Sequence, residues 1–393
     1  KLLKACVESN VRLIDYELLT KNGARVVAFG RFAGLVGAYN GLRGWGEKYG
    51  HYTLKPAHEC KDMEEMFAQL QGIEWPSDVR ILLTGKGRVA GGAVETLKAS
   101  GIPQISPNEV SSYEGCFWSQ LDVEEYYKTN DGRPFDRKEL FADPSGFKSN
   151  FMQYAPFAKL YIAGHYYDSR APYIFTREDA KQLDFAITYV SDISCDIDGP
   201  VASTLRASTI DDPFYGYLAQ AEKEVDHNHP EAIGVMAVDN LPCELPRDAS
   251  LSFGGDLMEH VIPALFNGDA EGVLSRATEC TEGALTSVIT PVSYIICRAR
   301  HSPQPAQVRD GHRRGEPSVA PQPRGSRQRS GPRRRIRVER ILPHVRERLR
   351  PSLRRPFVVP EQVQRSQVGR RSNLDELTLD PRTIIAAPFP RRI

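Results

Sequence analysis

The chain has 393 residues, enough for two domains with a sizeable core, and a net charge of +1. It contains no apolar run of about 18 residues, which predicts no membrane span, and its start does not resemble a signal peptide. The seven cysteines are dispersed and include no C-x-x-C pair. This pattern argues against a disulfide framework or a zinc site and predicts a reducing, cytoplasmic location.

The near-neutral charge hides two different parts. Residues 298–393 contain 24 arginines, no lysine and 8 acidic residues, a net charge of +16, whereas residues 1–297 carry −15. Three interpretations of this Arg/Pro-rich tail remain: a disordered arm that binds nucleic acid, a solvated linker, or a frame-shifted translation of a GC-rich gene. The complete absence of lysine favours the frame shift, and we assign the tail no function.

Residues 1–28 predict two short strands, RLIDYELL and ARVVAFG, on either side of a turn at residues 21–23. Residues 30–50 predict a helix, and residues 61–72 predict a second, amphipathic one. Glycines recur every three or four positions along the first helix: Gly30, Gly34, Gly37 and Gly41. Glycines at this spacing share one helix face and allow another backbone to pack close to it.

The segment VRILLTGKGRVAGGAVETLKASG, residues 79–101, carries the strongest functional signal. Its apolar start predicts a buried parallel strand, and a helical pattern follows the glycine turn. Strand, glycine turn and helix in this order suit a dinucleotide pyrophosphate: Gly85 allows the tight turn and Gly87 lets the backbone approach the phosphates. The helix N-terminus adds unpaired N–H groups and a partial positive charge. A plain glycine turn is the alternative.

An acidic residue about 20 positions after such a turn is expected to bind the ribose hydroxyls. Glu109 is the nearest candidate, with a solvated loop acid as the alternative. Residues 113–150 are polar and aromatic and predict irregular structure.

Further strands are predicted within residues 160–167, 185–199 and 231–242, and a helix over residues 248–266 that Asp248 could cap. The alternation of strands and helices predicts an α/β fold with a doubly wound parallel sheet.

Five strings resemble the NAD-dependent, lysine-forming saccharopine dehydrogenases of the alanine dehydrogenase and transhydrogenase superfamily. They are RVVAFGRFAGLVGA (25–38), LLTGKGRVAGGA (82–93), YIAGHYYDSRAP (161–172), SDISCDIDGPVASTLRASTIDDPFYGY (191–217) and MAVDNLPCELPRDAS (236–250). The resemblance spans residues 12–285 and implies two Rossmann-like domains with a cleft between them. Residues 1–28 would be a remnant of the first, substrate domain, residues 29–241 the NAD-binding domain, and residues 242–297 a C-terminal helix returning to the first domain.

The resemblance also implies individual roles. Glu17 matches an acid that tunes the catalytic site. Substrate contacts are implied for Arg25, Phe29, Ser194, Cys195 and Asp196. Contacts with NAD are expected of Gly85 from its place in the turn and, by the resemblance, of Gly87, Arg88, Tyr166, Ile193, Val238, Asp239, Asn240 and Leu241.

The residues themselves leave alternatives open. The planar guanidinium of Arg25 suits bidentate pairing with a dicarboxylate, although a surface arginine on a strand would look the same. Asp239 ends an apolar strand, where ligands bind in α/β folds, but it could equally cap a turn. The apolar flanks of Cys195 favour a buried small residue over a nucleophile. His165 is interpreted as a packed strand histidine rather than a base.

The resemblance implies oxidation of saccharopine by NAD to lysine and 2-oxoglutarate, with small-molecule partners and neither a membrane nor nucleic acid. Ala24 stands where the family often carries an arginine that touches NAD. The family's base, a lysine, and its acid, a histidine, lie upstream of the matched segment, and neither Lys1 nor Lys4 matches them. We therefore expect a truncated chain that binds NAD weakly and turns over slowly or not at all.

Two alternative functions remain. One is a related enzyme, either an alanine dehydrogenase or a lysine–2-oxoglutarate reductase. The other is a non-enzymatic nucleic-acid-binding or scaffold protein that uses its basic tail.

Overall fold

A computed structural model describes residues 2–288 and 383–386. The helices are α1 (Leu2–Glu8), α2 (Gly30–Tyr49), α3 (Met63–Ala68), α4 (Arg88–Ala99), α5 (Val123–Tyr126), α6 (Arg137–Ala142), α7 (Pro246–Asp256) and α8 (Ile262–Phe266). The first eight strands are β1 (Arg12–Asp15), β2 (Thr20–Lys21), β3 (Ala24–Arg25), β4 (Arg80–Thr84), β5 (Gln104–Ile105), β6 (Phe117–Leu121), β7 (Tyr127–Thr129) and β8 (Phe147–Ser149). The others are β9 (Leu160–Ala163), β10 (Tyr189–Asp192), β11 (Phe214–Leu218), β12 (Lys223–Val225), β13 (Ile233–Met236), β14 (Thr278–Thr281), β15 (Ala284–Leu285) and β16 (Thr383–Ala386).

The main sheet has eight strands in the order β12-β11-β13-β10-β9-β4-β6-β5. From β13 to β5 every neighbouring pair is parallel, which confirms the predicted α/β class and its parallel sheet. Strands β5 and β6 lie on one side of β4 and the later strands β9, β10 and β13 on the other, so the strand order reverses at β4. Ligands of open α/β sheets bind at the carboxyl ends of the strands at such a reversal.

One edge of this sheet departs from the expected pattern. Strand β11 pairs antiparallel with both β12 and β13. This short hairpin is absent from our sequence prediction, because β12 alternates too briefly and carries the charged Lys223 and Glu224. The sheet is therefore mixed.

Helix α2 lies across the main sheet and packs against α4 through its glycines. A Cβ atom added at Gly34 would come within 1.8 Å of the Val89 carbonyl oxygen, and one at Gly92 within 1.9 Å of the Arg31 carbonyl oxygen. Further along, Gly37 faces Ile193 and Gly41 faces the β-carbon of Ser191. The predicted close approach of a second backbone is confirmed at α4. The glycine face of α2 also packs against the end of β10.

Two apolar cores cover the two faces of the main sheet. On the face of α2 and α4, Trp45, Leu83 and Ile162 are almost completely buried. On the opposite face, Phe151 and Tyr161 are equally buried within an aromatic layer. Because both faces are covered, the central strands have continuous apolar sequences, as parallel strands usually do.

The start of the chain forms a smaller sheet in the order β15-β14-β1-β16. Its apolar neighbours include Ile14 and Leu19 from the start of the chain and Val261 and Leu274 from its later part. The first 28 residues and residues 261–277 thus share a core separate from those of the main sheet. The exact domain boundaries stay a prediction.

Strand β16 lies inside the Arg/Pro-rich tail. Its four residues, Thr383–Ala386, pair in parallel with β1. Residues 289–382 and 387–393, which include the remainder of the tail, lie outside the described part of the chain.

Two local predictions were wrong. Residues 113–150 contain the buried strand β6, whose Ser119 hydroxyl donates to the Ile105 carbonyl oxygen and so tolerates burial. Asp248 does not cap a helix: α7 begins before it, at Pro246, and the Asp248 carboxylate accepts a hydrogen bond from the Met63 amide. Within residues 2–288 and 383–386, no helix has the length and apolar character needed to cross a membrane.

The close packing of α2 on α4 gives the first prediction. Gly34→Ala would place a methyl group against backbone atoms of α4, and we expect it to lower the free energy of unfolding by about 3 kcal/mol or more. The matched control is Gly91→Ala, at an exposed helical position with open space, which we expect to stabilise by about 0.5–1 kcal/mol. Urea denaturation of both variants measures the difference, and equal stability of the two would contradict this packing.

Candidate functional site

The glycine turn between β4 and α4 has the geometry that its sequence predicts. Gly85 has a φ of +99°, and a Cβ atom there would come within 2.8 Å of the Gly164 carbonyl oxygen. Gly87 is the N-terminal cap of α4, and no heavy atom of the described chain lies within 4 Å of its Cβ position. Because Gly87 has no side chain, the cap itself leaves the first amides of α4 open to a ligand.

A cavity of about 450 Å³ opens at this turn, a volume typical of small-molecule sites. It brings together eight of the residues that the sequence singled out: Glu17, Arg25, Phe29, Gly87, Arg88, Tyr166, Ile193 and Ser194. The remaining lining residues are Tyr16, Ala28, Gly30, Val89, Gly164 and His165.

The N-termini of two helices meet at this cavity. Gly30 begins α2 and Gly87 precedes the first residue of α4, and both line the wall. Each helix start carries partial positive charge, so the two macrodipoles add their attraction for an anion. Sequence reasoning assigned this role to α4 alone, since only the fold brings the start of α2 beside it.

Two arginines add full charges to the same wall. The Arg88 guanidinium donates a hydrogen bond to the Arg25 carbonyl oxygen, which ties β3 to the start of α4. The Arg25 side chain is exposed and lines the cavity. Glu17 supplies a carboxylate to the same lining, and its amide is held by Asp15 at 2.8 Å. The cavity therefore presents two cations and one anion from these residues.

An aromatic cluster forms the side of the cavity near α7. The rings of Phe29 and Phe253 stack with centroids 4.5 Å apart, and the Tyr16 ring meets both edge-on. Burial, followed by the nearby Glu17 carboxylate, raises the pKa of Tyr16 above its ordinary value. Its phenol is therefore protonated at neutral pH and can serve as a hydrogen-bond donor.

The loop after β10 provides Ile193 and Ser194 to the lining but not the two residues that follow. The Cys195 thiol is buried and donates to the Ala237 carbonyl oxygen at 3.0 Å, so its side chain faces away from the cavity. This confirms the predicted buried small residue, and a contact of Cys195 with substrate stays a prediction. Asp196 lies instead in a neighbouring cavity of about 500 Å³, which shares Tyr166 with the first.

Four further residues expected to contact NAD lie outside the lining of the 450 Å³ cavity: Val238, Asp239, Asn240 and Leu241. Val238 and Leu241 are buried in the core beneath α2. Asp239 and Asn240 are exposed shortly after β13. A cofactor contact of these four residues stays a prediction.

His165 is a packed histidine, as the sequence predicted. Its Nδ1 lies 2.8 Å from the Thr84 hydroxyl, which in turn lies 3.0 Å from the Tyr161 hydroxyl. The ring is also close to Tyr126, with centroids 5.7 Å apart. Burial lowers the pKa of His165 to about 4, so the imidazole is neutral at physiological pH and is a poor general base.

A second acid lies beside the glycine turn, Asp122, which sequence reasoning missed. It directly follows β6, the parallel neighbour of β4, and its Oδ2 lies 2.7 Å from Arg137 and 3.2 Å from Lys86 of the glycine turn. Glu109 is instead an exposed cap that accepts hydrogen bonds from the Ser106 amide and hydroxyl, each at 2.8 Å. The sequence signal for Asp122 was its place directly after the apolar run FWSQL, a segment that we interpreted as irregular.

No protein-family model matches the chain. It is 25% identical over 319 residues to mouse mitochondrial alpha-aminoadipic semialdehyde synthase, covering 70% of this chain and 34% of that protein. Against saccharopine dehydrogenase (NAD⁺, L-lysine-forming) of Neurospora crassa it is 27% identical over 267 residues, covering 64% of this chain and 60% of that protein.

The chain is a homologue of these enzymes. The alpha-aminoadipic semialdehyde synthase of Arabidopsis thaliana adds a plant relative, 26% identical over 352 residues that cover 78% of this chain and 32% of that protein. An L-alanine dehydrogenase structure matches with a TM-score of 0.46 and 13% identity, covering 76% of this chain and 71% of that one. The sequence relatives confirm the predicted resemblance to lysine-forming saccharopine dehydrogenases. The chain spans about a third of the length of the mouse protein.

The buried His165 gives a prediction about pH. Because its pKa is about 4 in the fold and 6.5 when unfolded, the unfolded chain binds the extra proton between these values. Stability from this residue is therefore complete above pH 6.5 and declines as the pH falls toward 4, by at most about 3 kcal/mol. We expect His165→Asn to show a shallower loss of unfolding free energy between pH 6.5 and 4.5 in urea titrations.

His227, with a pKa of about 4 for the same reason, remains in this variant and preserves part of the pH dependence. An unchanged slope in His165→Asn would show that His165 is not buried as a neutral group.

Proposed function

We propose that this chain binds NAD(H) with the pyrophosphate at the N-terminus of α4, and that it is a saccharopine dehydrogenase-like oxidoreductase. The observation that carries the proposal is the open space at Gly87, at the start of a 12-residue helix within a cavity of about 450 Å³. Its homologues support a nicotinamide dinucleotide as the cofactor.

The residues around the glycine turn fit the parts of such a dinucleotide. Main-chain amides at Gly87 and the Arg88 guanidinium would hold the phosphates, and Asp122 beyond the turn would accept the ribose hydroxyls. The two converging helix starts favour the phosphate charge. When bound, NAD supplies a hydride acceptor, while the chain supplies binding and orientation.

The same lining also carries groups that fit a dicarboxylate. Arg25 offers a planar guanidinium for a carboxylate, the stacked Phe29 offers an apolar wall for a methylene chain, and Glu17 offers a carboxylate for an amine. These groups suit saccharopine, whose secondary amine joins lysine to a dicarboxylate.

The described residues of the cavity lining are poorly suited to proton transfer near neutral pH. Among the cavity residues described, none is a lysine, and the pKa of His165 is about 4. The pKa of Tyr16 is raised above its ordinary value of 10.0. Neither group exchanges protons readily near neutral pH, so we propose slow turnover by the chain alone. A cytoplasmic location remains part of the proposal. The alternative of nucleic-acid binding concerns the Arg/Pro-rich tail, residues 298–393.

The cofactor assignment is tested by titration with NADH. We expect a saturable change in NADH fluorescence with the wild-type chain and its loss in Gly87→Asp, because a carboxylate at the helix start repels the pyrophosphate and fills its space. Gly91→Asp is the matched control: it adds the same charge at an exposed position of α4 outside the lining and is expected to keep the signal. A folded wild-type chain without a saturable signal would disprove the cofactor assignment.

The dicarboxylate assignment is tested at Arg25. Removal of a charge-assisted pair typically costs about 1.5–3 kcal/mol, so Arg25→Gln is expected to weaken 2-oxoglutarate binding in the presence of NADH about ten- to a hundredfold. NADH affinity itself is expected to change little. Lys21→Gln removes a cation from the same hairpin outside the lining and serves as the control in calorimetric titrations. Equal effects of both substitutions would assign the loss to general electrostatics instead.

A further inference from the structure

A buried carboxylate controls one polar group of the cavity wall. Asp192 ends β10 and is completely shielded from solvent. Its Oδ1 accepts hydrogen bonds from the Ser194 amide at 3.1 Å, the Ser194 hydroxyl at 2.7 Å and the Cys195 amide at 3.2 Å. Its Oδ2 accepts from the Thr204 hydroxyl at 2.6 Å. Asp192 thus holds together the loop that places Ser194 in the cavity lining.

This arrangement determines how the Ser194 hydroxyl can interact with a ligand. A serine hydroxyl has one proton to donate and two lone pairs that accept. In this loop the proton is directed at Asp192, so only lone pairs remain for a group in the cavity. Ser194 Oγ can therefore accept a hydrogen bond from a ligand but has no proton left to donate to it.

The conclusion holds for either protonation state of Asp192. Amides can only donate, and two of them address Oδ1, so Oδ1 is an acceptor in both states. A proton on the carboxyl group would sit on Oδ2, facing Thr204, whose hydroxyl oxygen can accept it. The Ser194 hydroxyl donates to Oδ1 in both cases.

The acceptor at Ser194 complements the donors elsewhere in the lining. Arg25 and Arg88 can only donate, and they call for carboxylate or phosphate oxygens on the ligand. The lining also includes Ile193, Gly164 and Tyr166. A ligand that satisfies both the donors and the acceptor carries acid groups and an N–H group that reaches Ser194.

We propose that Asp192 is a positioning residue that holds Ser194 Oγ as the acceptor for an N–H group of the bound ligand. This inference rests on the proposed function, which supplies two sources of such an N–H: the carboxamide of the dinucleotide and the secondary amine of the substrate. Both share the chemistry of a nitrogen donor, and a ligand with an ether or a ketone at that place lacks it.

The experiment compares each ligand with an analogue that lacks the donor. In the first arm, reduced NADH is compared with its 3-acetylpyridine analogue, in which a methyl group replaces the amide nitrogen. In the second arm, saccharopine is compared with an isostere whose secondary amine is replaced by an ether oxygen, in the presence of NADH. Affinities are measured for the wild-type chain and for Ser194→Ala, so the variant comparison removes other differences between the ligands.

One hydrogen bond of ordinary strength corresponds to a ratio of about five. We expect the wild-type chain to prefer the N–H ligand about fivefold in one arm and Ser194→Ala to lose that preference. Ser203→Ala, which removes a buried hydroxyl outside the lining, is expected to keep it. The arm that responds identifies the source of the N–H group.

Variants of Asp192 separate positioning from simple stability. Asp192→Asn retains an oxygen for Ser194 and is expected to keep the preference, with its amide group turned toward Thr204. Asp192→Ala frees the hydroxyl to rotate and is expected to reduce the preference, with NADH affinity reporting that the variant is folded. If Asp192→Ala does not fold, the Ser194→Ala result decides.

Preferences that are the same in the wild-type chain and Ser194→Ala in both arms, with NADH still bound, would overturn this inference and leave the proposed function intact. A wild-type chain that binds no dinucleotide would overturn both.

Discussion

The contact between the backbones of α2 and α4 is the constraint on which the candidate site depends. At Gly34 and Gly92 the two helices approach so closely that a methyl group on either would overlap a carbonyl oxygen of the other. This contact places the start of α2 next to the start of α4, with Gly30 and Gly87 in one wall. The positive ends of two helix dipoles therefore act on the same volume, and neither helix would provide this field alone.

The cavity is assembled from segments that are far apart in the sequence. Residues 16–30 supply the aromatic cluster and Arg25, the glycine turn supplies the helix start, and the loop after β10 supplies Ser194. The hydrogen bond from Arg88 to the Arg25 carbonyl oxygen joins the first of these segments to the second. Buried Asp192 stabilises the third by accepting four hydrogen bonds. Support from buried groups of this kind gives a binding site a defined geometry.

Prediction from sequence succeeded where the signal is local. The turn at Gly85 requires a positive φ, and the glycine spacing of α2 follows helical geometry, so both can be inferred from neighbouring residues. It failed where the neighbours are distant. Asp122 follows a strand whose Ser119 is buried only because β5 supplies an acceptor. Such partners are brought together by the sheet order and have no fixed spacing in the chain.

The amino-acid sequence by itself determined the α/β class, the dinucleotide-type turn and the resemblance to saccharopine dehydrogenases, because each depends on contiguous residues with their own conformational preferences. Only the tertiary structure decided which of the candidate residues share a cavity. It grouped Glu17, Arg25 and Ser194 with the turn, and it placed Val238 and Leu241 in the core. The physical reason is that burial and side-chain partners depend on packing between strands and helices, which sequence periodicity alone does not specify.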